Sequence, residues 1–194
     1  MSLLSLVQGT ARIAACRNDL LAQARRDLTS FDYYFVVDVD IGSSSSFDSE
    51  DFLSNFIYPP SSWIAMTATT RTEYYDIWAL RLRSMFEFDC WQRIDELTSF
   101  YIDQSFLIKS LIKIHQKPIP RHIPIIEVQS AFGGAAVYSG KYLDSRCQYD
   151  GVNKQKWWWW WWNYEQCEHV HFHQCLQKYA KQPHIYINPR FQMC

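Results

Sequence analysis

Two carboxylates one residue apart, Asp38 and Asp40, stand directly after the run FDYYFVV at residues 31–37. On an extended backbone, residues two apart point the same way. Both carboxylates therefore converge on one point. Hard divalent cations such as Mn²⁺ or Mg²⁺ take oxygen ligands and bridge readily to phosphates. A diphosphate leaving group needs such charge compensation as its bond breaks. The plainer alternative is a polar strand end, helped by Gly42 and the serines at 43–46.

A second concentration of reactive side chains lies at 167–175, CEHVHFHQC. His169 and His173 are four apart, as are Cys167, His171 and Cys175. On a helix each set shares a face. Cys167, His171 and Cys175 could hold a structural zinc ion, although this spacing is not one of the strong zinc patterns.

These groups need elements to position them. Residues 10–28 predict a helix capped by Thr10, with Ile13, Cys16, Leu20, Ala24 and Leu28 as its buried stripe. The aromatic and β-branched run at 31–37 predicts a buried strand. Asp48 to Asp51 is an acidic first turn for a short helix ending near Phe56, and Pro59-Pro60 stops it. WIAMT at 63–67 predicts a strand, and 69–81 predicts irregular chain. Helical periodicity runs over 89–114 until Pro118, Pro120 and Pro124 end it. Strands follow at 123–128 and 135–138, around a turn at Gly133-Gly134. A helix over 167–179 and a short strand at 184–187 complete the chain. Strands alternating with helices imply a single α/β domain.

Length and composition agree. The 194 residues are 48% hydrophobic, enough for one buried core. The net charge of -1, with both signs interleaved, gives no footing for nucleic acid. No stretch is long enough for a membrane span, and the apolar start lacks the basic flank of a signal peptide. The sequence leaves localisation open, with the cytoplasm favoured because no signal or anchor is visible. The six cysteines form no CxxC, so a reducing compartment is the simplest reading, while their even number leaves disulfides open. Residues 157–162 are six consecutive tryptophans, expected in a loop insertion at 152–166. Six such side chains cannot all face one core.

RIAACRNDLL, YYFVVDVDIG, WIAMTATTRTEYYDIWALR, VQSAFGGAAVY and EQCEHVHFH occur in this order. Together they resemble a family of nucleotide-sugar glycosyltransferases with the GT-A fold, whose relatives include algal-virus capsid glycosyltransferases and fungal capsule-associated mannosyltransferases. The resemblance spans about residues 12–189. It implies a Rossmann-like mixed sheet flanked by helices. It also implies that Asp38 and Asp40 are the metal-binding DxD, with Mn²⁺ or Mg²⁺ as cofactor and His171 or His173 completing the shell. Arg17 and Asn18 match a pair near the donor nucleotide, where an arginine offers a fork of donors to phosphate. Ser130, Gly133 and Gly134 match a loop where glycine permits close approach to a ligand. Tyr75, Asp76 and Trp78 are implied to line the site, the tryptophan as a sugar platform and the aspartate as an acceptor of hydroxyl hydrogen bonds. Glu168 matches an acidic position suited to a general base in an inverting enzyme.

The family pattern has no counterpart of the tryptophan run. It carries a strand and helix upstream of the arginine–asparagine pair, whereas about ten residues precede Arg12 here. The expectation is a metal-dependent glycosyltransferase moving a sugar from a nucleotide-diphosphate donor to a glycan or glycoprotein acceptor, with its first nucleotide-binding strand missing. The alternatives are a truncated non-catalytic glycan- or nucleotide-binding relative, and a zinc-stabilised interaction domain.

Overall fold

The computed structural model describes residues 3–27, 31–38, 48–157, 160–181 and 183–193. In chain order, helix α1 (Leu3–Asp27) precedes strand β1 (Tyr33–Val37), helix α2 (Ser49–Leu53) and strand β2 (Trp63–Thr70). Helices α3 (Cys90–Thr98) and α4 (Gln104–Leu111) lead to strands β3 (Ile126–Val128) and β4 (Ala135–Ser139). Strands β5 (Val152–Trp157) and β6 (Trp160–Glu165), helix α5 (Glu168–Ala180) and strand β7 (His184–Met193) follow.

Five strands form one mixed sheet in the order β1-β4-β2-β7-β3. β2 and β7 run parallel at its centre, and the other pairs are antiparallel. All eight residues of β2 are buried, because both faces of the sheet are covered. On one face Trp63, Met66, Ala68, Val137 and Phe191 pack against Phe52 and Phe56 beside α2. On the other, Ile64, Ala65 and Tyr138 join a larger core with Leu21 of α1 and Phe172 and Leu176 of α5. The mixed α/β class expected from the sequence is thus found.

Several local expectations change. β1 is an edge strand with Tyr33, Phe35 and Val37 exposed, not a buried one. α1 begins at Leu3, so Thr10 lies inside it rather than capping it. Its buried stripe is Thr10, Ala14 and Leu21, with half-buried Arg17 and Asn18 between them. Ile13, Cys16 and Leu20 face solvent. The stripe turns because polar residues on it have distant partners: the Thr10 hydroxyl donates to Gly151 O at 3.0 Å and lies 2.8 Å from Glu165 Oε1.

The periodic stretch at 89–114 is two helices. The Asp103 side chain accepts from the N–H of Phe106 and starts α4 afresh, just after Tyr101 takes a left-handed backbone, φ 63°. β7 continues six residues beyond the expected strand, past Pro189. The register with β2 shifts between Thr67 and Thr69, and such irregularities are where a strand accommodates proline. The expected loop at 152–166 is instead the antiparallel hairpin of β5 and β6.

Cys147 and Cys175 form a disulfide. It ties the chain after β4 to α5 and corrects the simplest reading for this pair, while Cys16, Cys90 and Cys167 are free. The loop it closes spans 28 residues, for which chain entropy predicts roughly 3–4 kcal/mol of stabilisation. Replacing both cysteines by serine should therefore lower Tm by roughly 7–14 °C. Reductant should produce the same drop in the unaltered chain. A melting curve indifferent to reductant would contradict the pairing.

Candidate functional site

The carboxyl end of β1 delivers Asp38, whose N–H extends the ladder by donating to Gly134 O at 2.9 Å. α1 delivers Arg17 from its packed face, two turns beyond Thr10. The guanidinium donates to Asp38 Oδ1 at 2.6 Å through one amino group and to Glu168 Oε1 through the other. Glu168 sits in the first turn of α5, where unpaired helix N–H groups favour a negative charge. Three distant segments therefore meet on one planar group.

Below it lies an aromatic floor. The Arg17 guanidinium carbon is 5.0 Å from the Phe132 ring centre. The His169 ring stacks on Phe132 at 3.8 Å. His169 Nε2 faces the guanidinium. Arginine can only donate, so this nitrogen accepts and the ring proton belongs on Nδ1, toward the Tyr138 hydroxyl at 3.5 Å. The same hydroxyl lies 2.8 Å from His173 Nε2, and Ser130 Oγ lies 2.9 Å from His173 Nδ1. Burial, reinforced by the charge of Arg17, pushes the His173 pKa down to about 3 and lowers that of His169 as well. Both rings are neutral near pH 7.

Burial alone would lower the pKa of Arg17. Glu168 and Asp38 outweigh it, and the net direction is upward. Burial raises the Glu168 carboxyl, against the pull of Arg17. Asp76 carries the largest consequence. Its carboxyl is pushed up to about 6 by burial and by the negative charges of Glu168 and Asp38. The N–H groups of Ala79, at 3.1 Å, and of Gly133 oppose the shift without cancelling it. Two carboxylates thus share one guanidinium, and a third, Asp76, feels their charge without pairing to it.

The 130–134 loop joins these parts. Gly133 has φ +60°, and a Cβ there would overlap the Ala68 carbonyl of β2. Glycine is therefore required for the close packing that brings its N–H to Asp76. Gly134 holds Asp38 through its carbonyl.

Of the residues singled out in the sequence, Arg17, Asp38, Asp76, Gly133, Gly134 and Glu168 come together. Others serve differently. The Asn18 amide is taken up by the backbone of Tyr149, donating to its carbonyl at 2.9 Å and accepting from its N–H at 2.8 Å. It fixes α1 rather than facing a ligand. Ser130 is fully buried behind His173. Trp78 donates from Nε1 to Asp89 Oδ2 at 2.7 Å, while Tyr75 is partly exposed. His171 points to solvent on the outer face of α5, away from the buried Glu168, His169 and His173. That orientation removes it as a ligand beside Asp38. The zinc set fails too: Cys175 is in the disulfide, Cys167 is buried and His171 is exposed. Asp40 lies outside the described residues. Among the described residues no three His, Cys, Asp or Glu side chains are grouped to hold a metal ion. Phe132, Tyr138 and Tyr149 escaped sequence reading, because buried aromatics carry no local signal of what they support.

Asp76 gives this site a measurable signature. Its folded pKa lies above its ordinary 3.8. The folded state therefore binds the extra proton, and stability falls as pH rises from about 4 to about 6. The cost at neutral pH is on the order of 2–3 kcal/mol. Asp76→Asn should raise Tm by several degrees at pH 7–8, and the gain should vanish near pH 4. A gain that is constant with pH, or a loss at pH 8, would contradict the raised pKa of Asp76.

Comparison with protein-family models, curated proteins and solved structures finds no match for this chain.

Proposed function

We propose that the chain is a metal-dependent glycosyltransferase with a GT-A-like fold, transferring a sugar from a nucleotide-diphosphate donor to a glycan or glycoprotein acceptor. The observation that carries this reading is the meeting of Arg17, Asp38, Asp76, Gly133 and Glu168 at the end of β1. They come from five separate segments, the same five in which the sequence resembles that enzyme family. In mixed α/β sheets, ligands gather beyond the carboxyl ends of strands.

The residues fit a divalent cation. Asp38 and Glu168 carry one negative charge more than Arg17 neutralises, and the donors are carboxylate oxygens suited to Mn²⁺ or Mg²⁺. Asp38 and Asp40 would hold the ion, which when bound supplies charge compensation to the diphosphate. Arg17 offers N–H groups to the same phosphates. Glu168 holds that guanidinium in place. Asp76, with its pKa at about 6 and no cation bonded to it among the described residues, is the better poised of the two carboxylates to take the proton of an acceptor hydroxyl in an inverting transfer.

One observation favours a second reading, a non-catalytic binding relative. Asp38 and Glu168 already share Arg17, and a guanidinium between two carboxylates can be a purely structural tie.

A thermal-shift screen of nucleotide sugars with and without Mn²⁺ separates the two. The transferase reading expects one donor to raise Tm only when Mn²⁺ is present, by an amount equivalent to about 2.7 kcal/mol at a hundredfold excess over Kd. Asp38→Ala should abolish that shift. Turnover should rise as pH passes about 6 and fall at least 100-fold in Asp76→Asn. Donor turnover that survives excess chelator would sink the metal-dependent reading, and metal-dependent donor binding with no turnover on any acceptor would favour the second.

A further inference from the structure

Of the six tryptophans at 157–162, Trp157 ends β5 and Trp160, Trp161 and Trp162 begin β6. The two strands form a sheet of their own, apart from the five-stranded one. The base of this hairpin is fixed. Glu165 Oε1 accepts from the Thr10 N–H of α1 at 3.0 Å, and the N–H of Gln166 donates to Gly151 O at 3.0 Å. From there the strands pair over six residues each, a length of roughly 20 Å, and the pairing ends at Trp157 opposite Trp160.

Residue type changes along that length. Asn153 stands opposite Tyr164 and Lys154 opposite Asn163. Gln155 opposite Trp162 and Lys156 opposite Trp161 come next, and last tryptophan pairs with tryptophan. Polar and basic residues thus give way to indole. Residues 152–164 hold two lysines and no acid, in a chain of net charge -1. The two-residue period places Trp157, Trp160, Trp162 and Tyr164 on one face of the hairpin, and Trp161 on the other with Lys154 and Lys156. Tyr164 is exposed.

Tryptophan on both faces decides between partners. A sugar ring stacks on one face of a hairpin and leaves the other in water. A lipid interface surrounds the end of a hairpin and takes indole from both faces at once. A two-stranded hairpin is marginally stable at best in water, and one medium around both faces stabilises it. We propose that this hairpin is an interfacial membrane anchor, which seats its tryptophans at the headgroup level of an anionic lipid surface, with Lys154 and Lys156 toward the phosphates. The amphipathic indole suits that depth, and lysine is drawn to a negative leaflet. The anchor does not depend on the transferase reading.

The experiment is co-sedimentation of the full chain with vesicles of phosphatidylcholine alone and of phosphatidylcholine mixed with phosphatidylserine. The mixed vesicles should bind the chain more tightly, and added salt should weaken the binding. Brominated lipid should quench the fluorescence, since six of the nine tryptophans lie in the run. Lys154→Gln with Lys156→Gln should lower partition into mixed vesicles roughly thirtyfold. Trp157→Ser, Trp160→Ser and Trp162→Ser together should abolish binding and leave Tm in place. Should that triple variant fail to fold, the lysine variant and the quenching of the unaltered chain still decide. No binding to either vesicle, binding without quenching, or binding that neither variant changes overturns the anchor. Equal partition into both vesicle types overturns the role of the lysines. Saturable binding of maltohexaose without vesicle binding overturns the anchor in favour of a glycan platform. A dimer that the triple variant separates, again without vesicle binding, overturns it in favour of contact between copies.

Discussion

The Arg17 guanidinium sits where water hardly reaches, with 12% of its side chain exposed. A buried charge of this kind is destabilising by several kcal/mol unless opposite charges and hydrogen bonds match it. Much of the molecule can be understood from that requirement. Glu168 must stand at the start of α5, Asp38 at the end of β1, and α1 must turn its arginine inward rather than its isoleucine and leucine. Phe132 lies beneath as a flat support, and His169 fills the remaining side as a neutral acceptor. The edge strand β1 has one sheet neighbour, β4. The ion pair to Asp38 therefore does for its end what a second neighbour would do elsewhere.

This requirement also explains what was legible in the sequence. β2, β4 and α5 follow from composition and periodicity, since their packed faces are apolar and their neighbours are close in kind. α1 does not. Ile13, Cys16 and Leu20 form the better apolar stripe, yet the packed face carries Thr10, Arg17 and Asn18. Their partners at Gly151, Glu165, Glu168 and Tyr149 lie more than 130 residues away. No local pattern announces a polar face whose partners are that distant. The same holds for Cys147 and Cys175, which no spacing rule pairs. β5 carries Asn153, Lys154, Gln155 and Lys156, and β6 begins in tryptophans. Neither alternates clearly, so their pairing could not be read from period two.

The site residues were more legible than their roles. The motif segments held Arg17, Asp38, Asp76, Gly133 and Glu168, and these converge. Asn18 and Ser130 lie in the same segments but support the site from behind. Residue type explains the difference. Both are small and polar, so a backbone amide or an imidazole satisfies them completely. A carboxylate beside two others cannot be satisfied so easily.

That last point bears on how the site would work. Asp38 and Glu168 share one guanidinium, while Asp76 stands beside them with its pKa pushed up to about 6 by burial and by those two carboxylates. A proton on Asp76 and a cation at Asp38 relieve the same surplus of charge. Each therefore weakens the other, and linkage makes the effect reciprocal. On the proposed reading, loading the site with a cation lowers the Asp76 pKa and leaves that carboxylate ready to accept a proton. The base would then be ionised over a wider range of pH when the charge that steadies the leaving diphosphate is also in place. On that reading the stability lost at Asp76, to burial first and to its two acidic neighbours second, is coupled to function, a pattern common where active sites shift the pKa of their groups.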